Sequence, residues 1–209
     1  MADIASADSE MCIHQATAGE DCARLESLFT GNIIGAFGLA LTDKIDRAVM
    51  KASGLNKSAC GAMVTIGTEP GSSIDELRRM LDLEHSSVVR MVAKLEDQGL
   101  ARKARGAGDD NRVVRVSLTE AGEAVFGKIL RARQEVLLSL TSALSDAEEA
   151  FFKRLIGKIM VQIVDPGDDQ HYVCRLCDPD ACDQTKCPVN LAYPDLYDDP
   201  AARCRSASN

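Results

Sequence analysis

Between Ser73 and Leu118 the apolar residues keep a helical spacing, pass through one tight connection, resume that spacing, and then alternate. Leu77, Met80 and Leu81 line one face of a short helix opening at Ser73-x-x-Glu76, a capping box in which each side chain satisfies the other residue's free backbone amide. Only Asp82-Leu83-Glu84 separates it from a second stripe, Val88, Met91, Val92 and Leu95, which runs to Gly99, a residue suited to the left-handed position after a helix. Beyond Gly99 the period drops toward two. Leu100 to Ala104, a Gly- and Asp-rich loop from Arg105 to Asn111, and Val114, Val116 and Leu118 alternating with Arg115 and Ser117 predict a β-hairpin with a polar tip.

Helix, tight turn, helix, hairpin is the order of a winged helix-turn-helix, in which the second helix enters the major groove and the hairpin reaches the neighbouring backbone or minor groove. Longer helices flank it. Ile34, Phe37, Leu41, Ile45, Ala48 and Val49 predict one from Asn32 to Gly54, and Asn56 caps another through Thr68 with apolar positions at Ala59, Met63, Val64 and Ile66. Thr119 caps a helix striped by Val125, Ile129, Val136, Leu137, Leu140 and Leu144. Ser145-x-x-Glu148 opens a last one through Phe151, Phe152, Leu155, Ile156, Ile159 and Ile163, and Asp165 to Asp169 closes the regular region.

The expected fold class is therefore mainly α with a small β-wing, a winged helix-turn-helix with terminal dimerisation helices. The first and last two helices present more apolar stripe than one small lobe covers, so a homodimer is expected. Residues 1–31 read as an acidic N-terminal extension, 32–165 as the winged unit with its dimerisation helices (DNA-binding lobe about 56–118), and 166–209 as a Cys-rich C-terminal tail.

A net charge of −8 argues against a nucleic-acid partner until its distribution is read. Six acids against Arg24 leave residues 1–31 at −5, whereas residues 85–115 hold seven basic residues against four acidic ones. A basic surface on an acidic protein is the footprint of phosphate binding. Ser86, Ser87 and Arg90 fall in the first turns of the second helix, where side chains reach base edges, and Arg90 can make the bidentate contact to guanine. Arg90 touching only phosphate, or standing as a solvated helix charge, is the bland alternative. Lys94 and Arg105 extend the basic surface, and His85 beside it reads as surface decoration.

The segments Ser73 to Leu77, Leu81 to Arg90, Leu95 to Leu100, Asp110-Asn111-Arg112 and Val116-Ser117-Leu118-Thr119-Glu120-Ala121-Gly122 together resemble the MarR family of bacterial transcriptional regulators, over about Asn32 to Ile163. The Asp-x-Arg wing followed by Leu-Thr-x-x-Gly carries most of the likeness. The resemblance implies an obligate homodimer on double-stranded DNA, reading a pseudo-palindromic operator, more often as a repressor. It implies that Asp110 positions Arg112 for the minor groove, and that a small-molecule effector sits between the DNA-binding lobe and the dimer helices. Glu84 stands where the family usually has a small helix-capping residue. Cys22 is nearest in position to the reactive cysteine of the family's peroxide-sensing branch, although Ala23-Arg24-Leu25 does not reproduce that branch's surroundings, and Cys60 reads as core packing.

The longest nearly unbroken apolar run, Ile33 to Leu41, is about half of the roughly 20 residues that span a bilayer, so no transmembrane helix is expected. Asp3, Asp8 and Glu10 stand where a secretion signal needs positive charge, which points to a cytoplasmic protein. No nucleophile–base arrangement, glycine-rich phosphate loop or zinc-protease helix is recognisable, so an enzyme is not expected.

In a reducing compartment clustered cysteines are ligands or redox centres. Cys174-x2-Cys177-x4-Cys182-x4-Cys187-Pro188 places four thiols within 14 residues, close enough for one tetrathiolate site. The spacing equals that of a retroviral-type zinc knuckle with Cys182 in the histidine position, but without that motif's glycines and aromatic. Zinc is the favoured occupant, an iron–sulfur cluster the alternative, and thiol–disulfide switching without metal the third reading, with His171 and Cys204 as substitute ligands. The rival to a regulator is a metal or iron–sulfur redox protein whose helical body is only a dimer scaffold.

Overall fold

The computed structural model describes residues 20–105, 113–164, 170–183 and 185–192. In chain order come α1 (Glu20–Ser53), α2 (Lys57–Thr68), β1 (Ser72–Ser73), α3 (Ile74–Leu81), α4 (His85–Asp97), β2 (Ala101–Arg105), β3 (Val114–Leu118), α5 (Glu120–Thr141), α6 (Asp146–Ile163), α7 (Gln170–Cys174) and α8 (Pro188–Ala192). The architecture is mainly helical with a small antiparallel sheet, as the changes of period predict. The chain divides into two units, Met1–Lys44 and Ile45–Asn209.

The first unit contains most of α1, which begins at Glu20 rather than at Asn32 because Leu25, Leu28 and Phe29 carry the apolar spacing back into the acidic segment. Leu25, Leu28, Phe29, Ile33 and Leu39 are exposed, Leu39 at 73%. Over Arg24–Ser53 the helix is long and apolar enough, by length and composition, to cross a bilayer, which corrects the expectation that no segment is. That expectation counted only the unbroken run. Uncharged Gly, Ala and Thr positions on either side lengthen it, and a helix that buries against protein passes the same test.

In the second unit α2 is the centre. Ala59 to Ile66 are all buried, so this helix is covered around its whole circumference, by α3, α5 and β3 among others. Its polar groups are satisfied locally: Asn56 Oδ1 accepts from the Ala59 amide at 2.9 Å, and Thr65 Oγ1 donates to the Gly61 carbonyl at 3.0 Å. Cys60 is core packing. Its sulfur lies 3.3 Å from Ser53 Oγ, and burial pushes its thiol up from the ordinary value. Met63, Ile66, Leu77, Leu95 and Ile129 are the largest side chains sealed into this core.

The Ser73 box forms as read, with the Ser73 amide donating to Glu76 Oε2 at 2.7 Å and the Glu76 amide to Ser73 Oγ at 3.2 Å. Hydrogen bonds from the Ser73 amide and hydroxyl hold the Glu76 carboxyl below its usual range. The sheet has the order β1-β3-β2, pairing Ala101 with Leu118 and Ser72 with Val116. β1 has only two residues, too few to show a period, and was not legible as a strand. Gly99, at φ +70°, turns the chain from α4 into β2.

Two more short helices, α7 and α8, lie past the point where regular structure was expected to close. Val164 and Val189 form a second, small apolar cluster there with Met160, Val173, Cys174 and Cys187 against it. Among the described residues α6 buries none of its side chains, and Phe151, Leu155, Val161 and Ile163 are exposed.

The glycine of the Leu-Thr-x-x-Gly segment has a steric role. Gly122 is buried in the first turn of α5, its amide donates to Thr119 Oγ1 at 3.1 Å, and a Cβ built on it would fall on the Leu100 carbonyl oxygen. Gly122→Ala must push α5 away from the start of the wing, an overpacking that costs about 1–3 kcal/mol. Chemical denaturation should show that loss, whereas Ala121→Gly, at an exposed helix position, should cost no more than about 1 kcal/mol.

Candidate nucleic-acid interface

α4 sorts its residues by face. Val88, Val92 and Leu95 are buried against the core, while Ser86, Arg90 and Lys94, each one turn from the next, are exposed and Ser87 is half-buried beside them. His85 is exposed at the first turn. The structure thus brings four of the expected site residues to one solvent-facing edge. Arg105 ends β2 and is exposed, as is Arg102. Asp110 and Arg112 lie outside the described residues.

Two cations of the basic segment have partners within the fold. Lys103 Nζ sits 2.9 Å from Glu96 Oε2, and the Lys103 amide donates to Glu96 Oε1 at 3.3 Å. This pairing holds the Glu96 carboxyl below its usual range and ties β2 to the last turn of α4. Arg115 Nη1 donates to the Gly71 carbonyl at 3.1 Å and lies 4.0 Å from Glu76 Oε2, bracing β3 against the turn before β1. Lys103 and Arg115 were counted in the basic surface from sequence. Their alternation along the strands gave no sign that each had an internal partner.

The start of α4 is capped by backbone alone. Glu84 is the N-cap in extended geometry, its carbonyl accepts from the Ser87 and Val88 amides, and its side chain makes no capping bond. A cavity of about 510 Å³ opens between the α2 N-terminus and α4, lined by Asn56, Ala59, Ser87, Arg90, Met91 and Lys94 among others.

In the cysteine tail, thiols meet apolar groups. The Cys177 amide donates to the Cys174 carbonyl at 2.7 Å in the turn after α7, and Arg133 Nη2 on α5 donates to Cys177 Sγ at 3.8 Å. A hydrogen bond from Cys174, aided by the Arg133 charge, brings the Cys177 thiol down to about 6, while Cys174, the donor, is pushed well up. Burial and the neighbouring Cys187 push Cys182 to about 11. All four thiols therefore lie within electrostatic reach of at least one other, yet among the described residues no three His, Cys, Asp or Glu side chains converge closely enough to grip an ion as they stand. His171 is half-buried on α7, and Cys204 and the Cys22 side chain lie outside the described residues.

Residues 53–110 match the family model described as MarR family. A protein of Thauera aromatica named as a transcriptional regulatory protein for the hcr operon is 25% identical over 145 residues, covering 66% of this chain and 87% of that one. The structure is similar to a MarR family protein from Bacillus stearothermophilus, with a TM-score of 0.57 and 23% identity over 72% of this chain and 100% of that one. It is similar also to the YusO protein from Bacillus subtilis, with a TM-score of 0.56 and 18% identity over 68% and 96% of the two chains. At these identities the structural likeness speaks to the fold.

The unused cap gives a direct test of the α4 geometry. Glu84→Ser supplies a side-chain oxygen to a free amide of the first turn and should stabilise the chain by about 1 kcal/mol, read as a higher Tm. An unchanged or lowered Tm would mean that the Glu84 backbone is not held in capping geometry.

Proposed function

We propose, from the premise that residues 53–110 of this chain are a MarR-family domain on a winged helix-turn-helix fold, that the protein is a homodimeric regulator of transcription that represses by occupying a pseudo-palindromic operator. The observation that carries this reading is the exposed edge of Ser86, Arg90 and Lys94 on α4, together with the exposed Arg102 and Arg105 on β2, on a protein of net charge −8. α4 enters the major groove, where Arg90 reaches a guanine edge and the serines meet bases or phosphates. The hairpin takes the adjacent minor groove, the role that the resemblance implies for Arg112, with Asp110 positioning it. Paired protomers set two such helices about one helical turn of DNA apart.

Dimerisation is supported by the apolar side chains left exposed on both terminal helices, Leu25, Leu28, Phe29 and Ile33 on α1 and Leu155 and Ile163 on α6. The tail thiols are the regulatory input, through metal or redox state. A second reading, a redox protein with a helical scaffold, is favoured by those thiols alone and requires no affinity for DNA.

Fluorescence anisotropy with DNA from upstream of the protein's own coding region decides between them. Binding whose log Kd rises linearly with log salt, and which discriminates that DNA from scrambled sequence, is the expected result. Absence of binding at low salt would overturn the regulator. Arg90→Ala should relax preference at one base pair by about 1–3 kcal/mol, whereas Arg112→Ala should weaken binding to every sequence by a similar factor and lower the salt slope by about 1.

Leu155 is 39% exposed in the protomer, so an aspartate there leaves the fold intact and acts only where a partner covers it. Leu155→Asp should weaken self-association at least about tenfold, since a charge would be buried unpaired. Sedimentation analysis at micromolar concentration checks this, with an unaltered far-ultraviolet spectrum as the control.

A further inference from the structure

The tail has too little apolar material to hold itself. Val164 and Val189 are the buried residues of its small cluster, and the other hydrophobic groups against them include Cys174 and Cys187 themselves. The first and last cysteines of the motif are thus brought onto one apolar patch, although 12 residues separate them in sequence. Cys177 lies between, turned back by its amide bond to the Cys174 carbonyl, with the Arg133 guanidinium donating to its sulfur. Cys182 sits on a tight turn, its amide donating to the Pro179 carbonyl at 3.3 Å, and Lys186 and Thr185 close the following turn on Asp183. Four half-buried thiols, an apolar wall and the Arg133 cation are the chemistry of a soft-metal centre, where thiolates supply the bonds, the apolar wall limits water, and a positive partner offsets the excess negative charge.

The patch is also joined to the winged unit. Leu176, between Cys174 and Cys177, packs against the main core. α7 lies on α3, the helix that precedes the recognition helix, while α8 lies on α6 and Arg133 belongs to α5. We propose that Cys174, Cys177, Cys182 and Cys187 together hold one thiolate-ligated metal centre, a zinc ion or an iron–sulfur cluster, and that its occupancy sets the DNA affinity of the lobe through the α7–α3 and Arg133 contacts. Ligation would fix the four thiols on one centre, and the segments that carry them touch α3 and are hydrogen-bonded to Arg133 of α5. Metal ligation also supplies the cross-link energy that this apolar-poor segment lacks. The coupling rests on the regulator reading above, whereas the metal site does not.

The test uses the full chain, purified anaerobically. Metal and acid-labile sulfide are measured per chain, then DNA affinity is compared between the loaded protein and the same preparation after chelation. One zinc per chain in colourless protein, or about four irons with matching sulfide in brown protein, supports the site and names its occupant. Cys182→Ser and Cys177→Ser should each lose the metal, while Cys60→Ser, outside the tail, should keep it. Either tail variant retaining full metal, or wild type without stoichiometric metal, overturns the site. Loaded and chelated protein should differ in Kd by at least about fivefold. Arg133→Ala should lose most of that difference, compared at equal metal content. Stoichiometric metal with equal affinities in both states overturns the coupling, and stoichiometric metal with no DNA binding in either state overturns the regulator reading while leaving the site standing.

Discussion

Burial of α2 on every side is the constraint on which the rest of the winged unit depends. A helix with no solvent face must be narrow, and the run Ala59-Cys60-Gly61-Ala62-Met63-Val64-Thr65-Ile66 is narrow on most of its circumference. Small residues let α3 approach closely enough that a Cβ on Gly61 would stand 3.5 Å from Leu81. The large members, Met63 and Ile66, fill the remaining space with Leu77, Leu95 and Ile129. At roughly 25 cal/mol per Å² of apolar surface removed from water, such shared burial is the main favourable term for so small a lobe.

That packing positions the candidate interface indirectly. α4 is anchored by Val88, Val92 and Leu95, so its opposite edge is held outward without any contact of its own. The wing is then referenced to α4 by Lys103 on Glu96, and to α5 by the close approach of Gly122 to Leu100. Surface ion pairs are individually weak, so the Lys103 pair orients the strand more than it stabilises it. Charges in the basic segment therefore divide between bracing the wing, as Lys103 and Arg115 do, and facing solvent, as Arg90, Lys94, Arg102 and Arg105 do.

Much of the winged unit, though not this division of its charges, was legible in the sequence. Both capping boxes, the Asn56 and Thr119 caps, the left-handed Gly99 and the change from helical to alternating period are local events, each decided by residues within about one turn of each other. The groove-facing candidates on α4 followed from the same periodicity. The failures have a common cause as well. The start of α1, the strand β1, the helices α7 and α8, and the membrane-length span of α1 are signalled weakly or not at all by local pattern, either because the element is too short to show a period or because its residues suit several environments.

Sequence by itself determined the winged helix-turn-helix order, the face of α4 that meets solvent and the gathering of four cysteines in one short segment, because caps, turns and periodicity act over a few residues. Tertiary structure decided which cations are paired within the protein, why residue 122 must lack a side chain, and that Cys174 and Cys187 share an apolar patch while Cys177 meets Arg133 on a helix 44 positions away. Those are contacts between segments far apart in the chain, and no local propensity encodes which distant carbonyl, carboxylate or guanidinium a residue will find once the α2 core has closed.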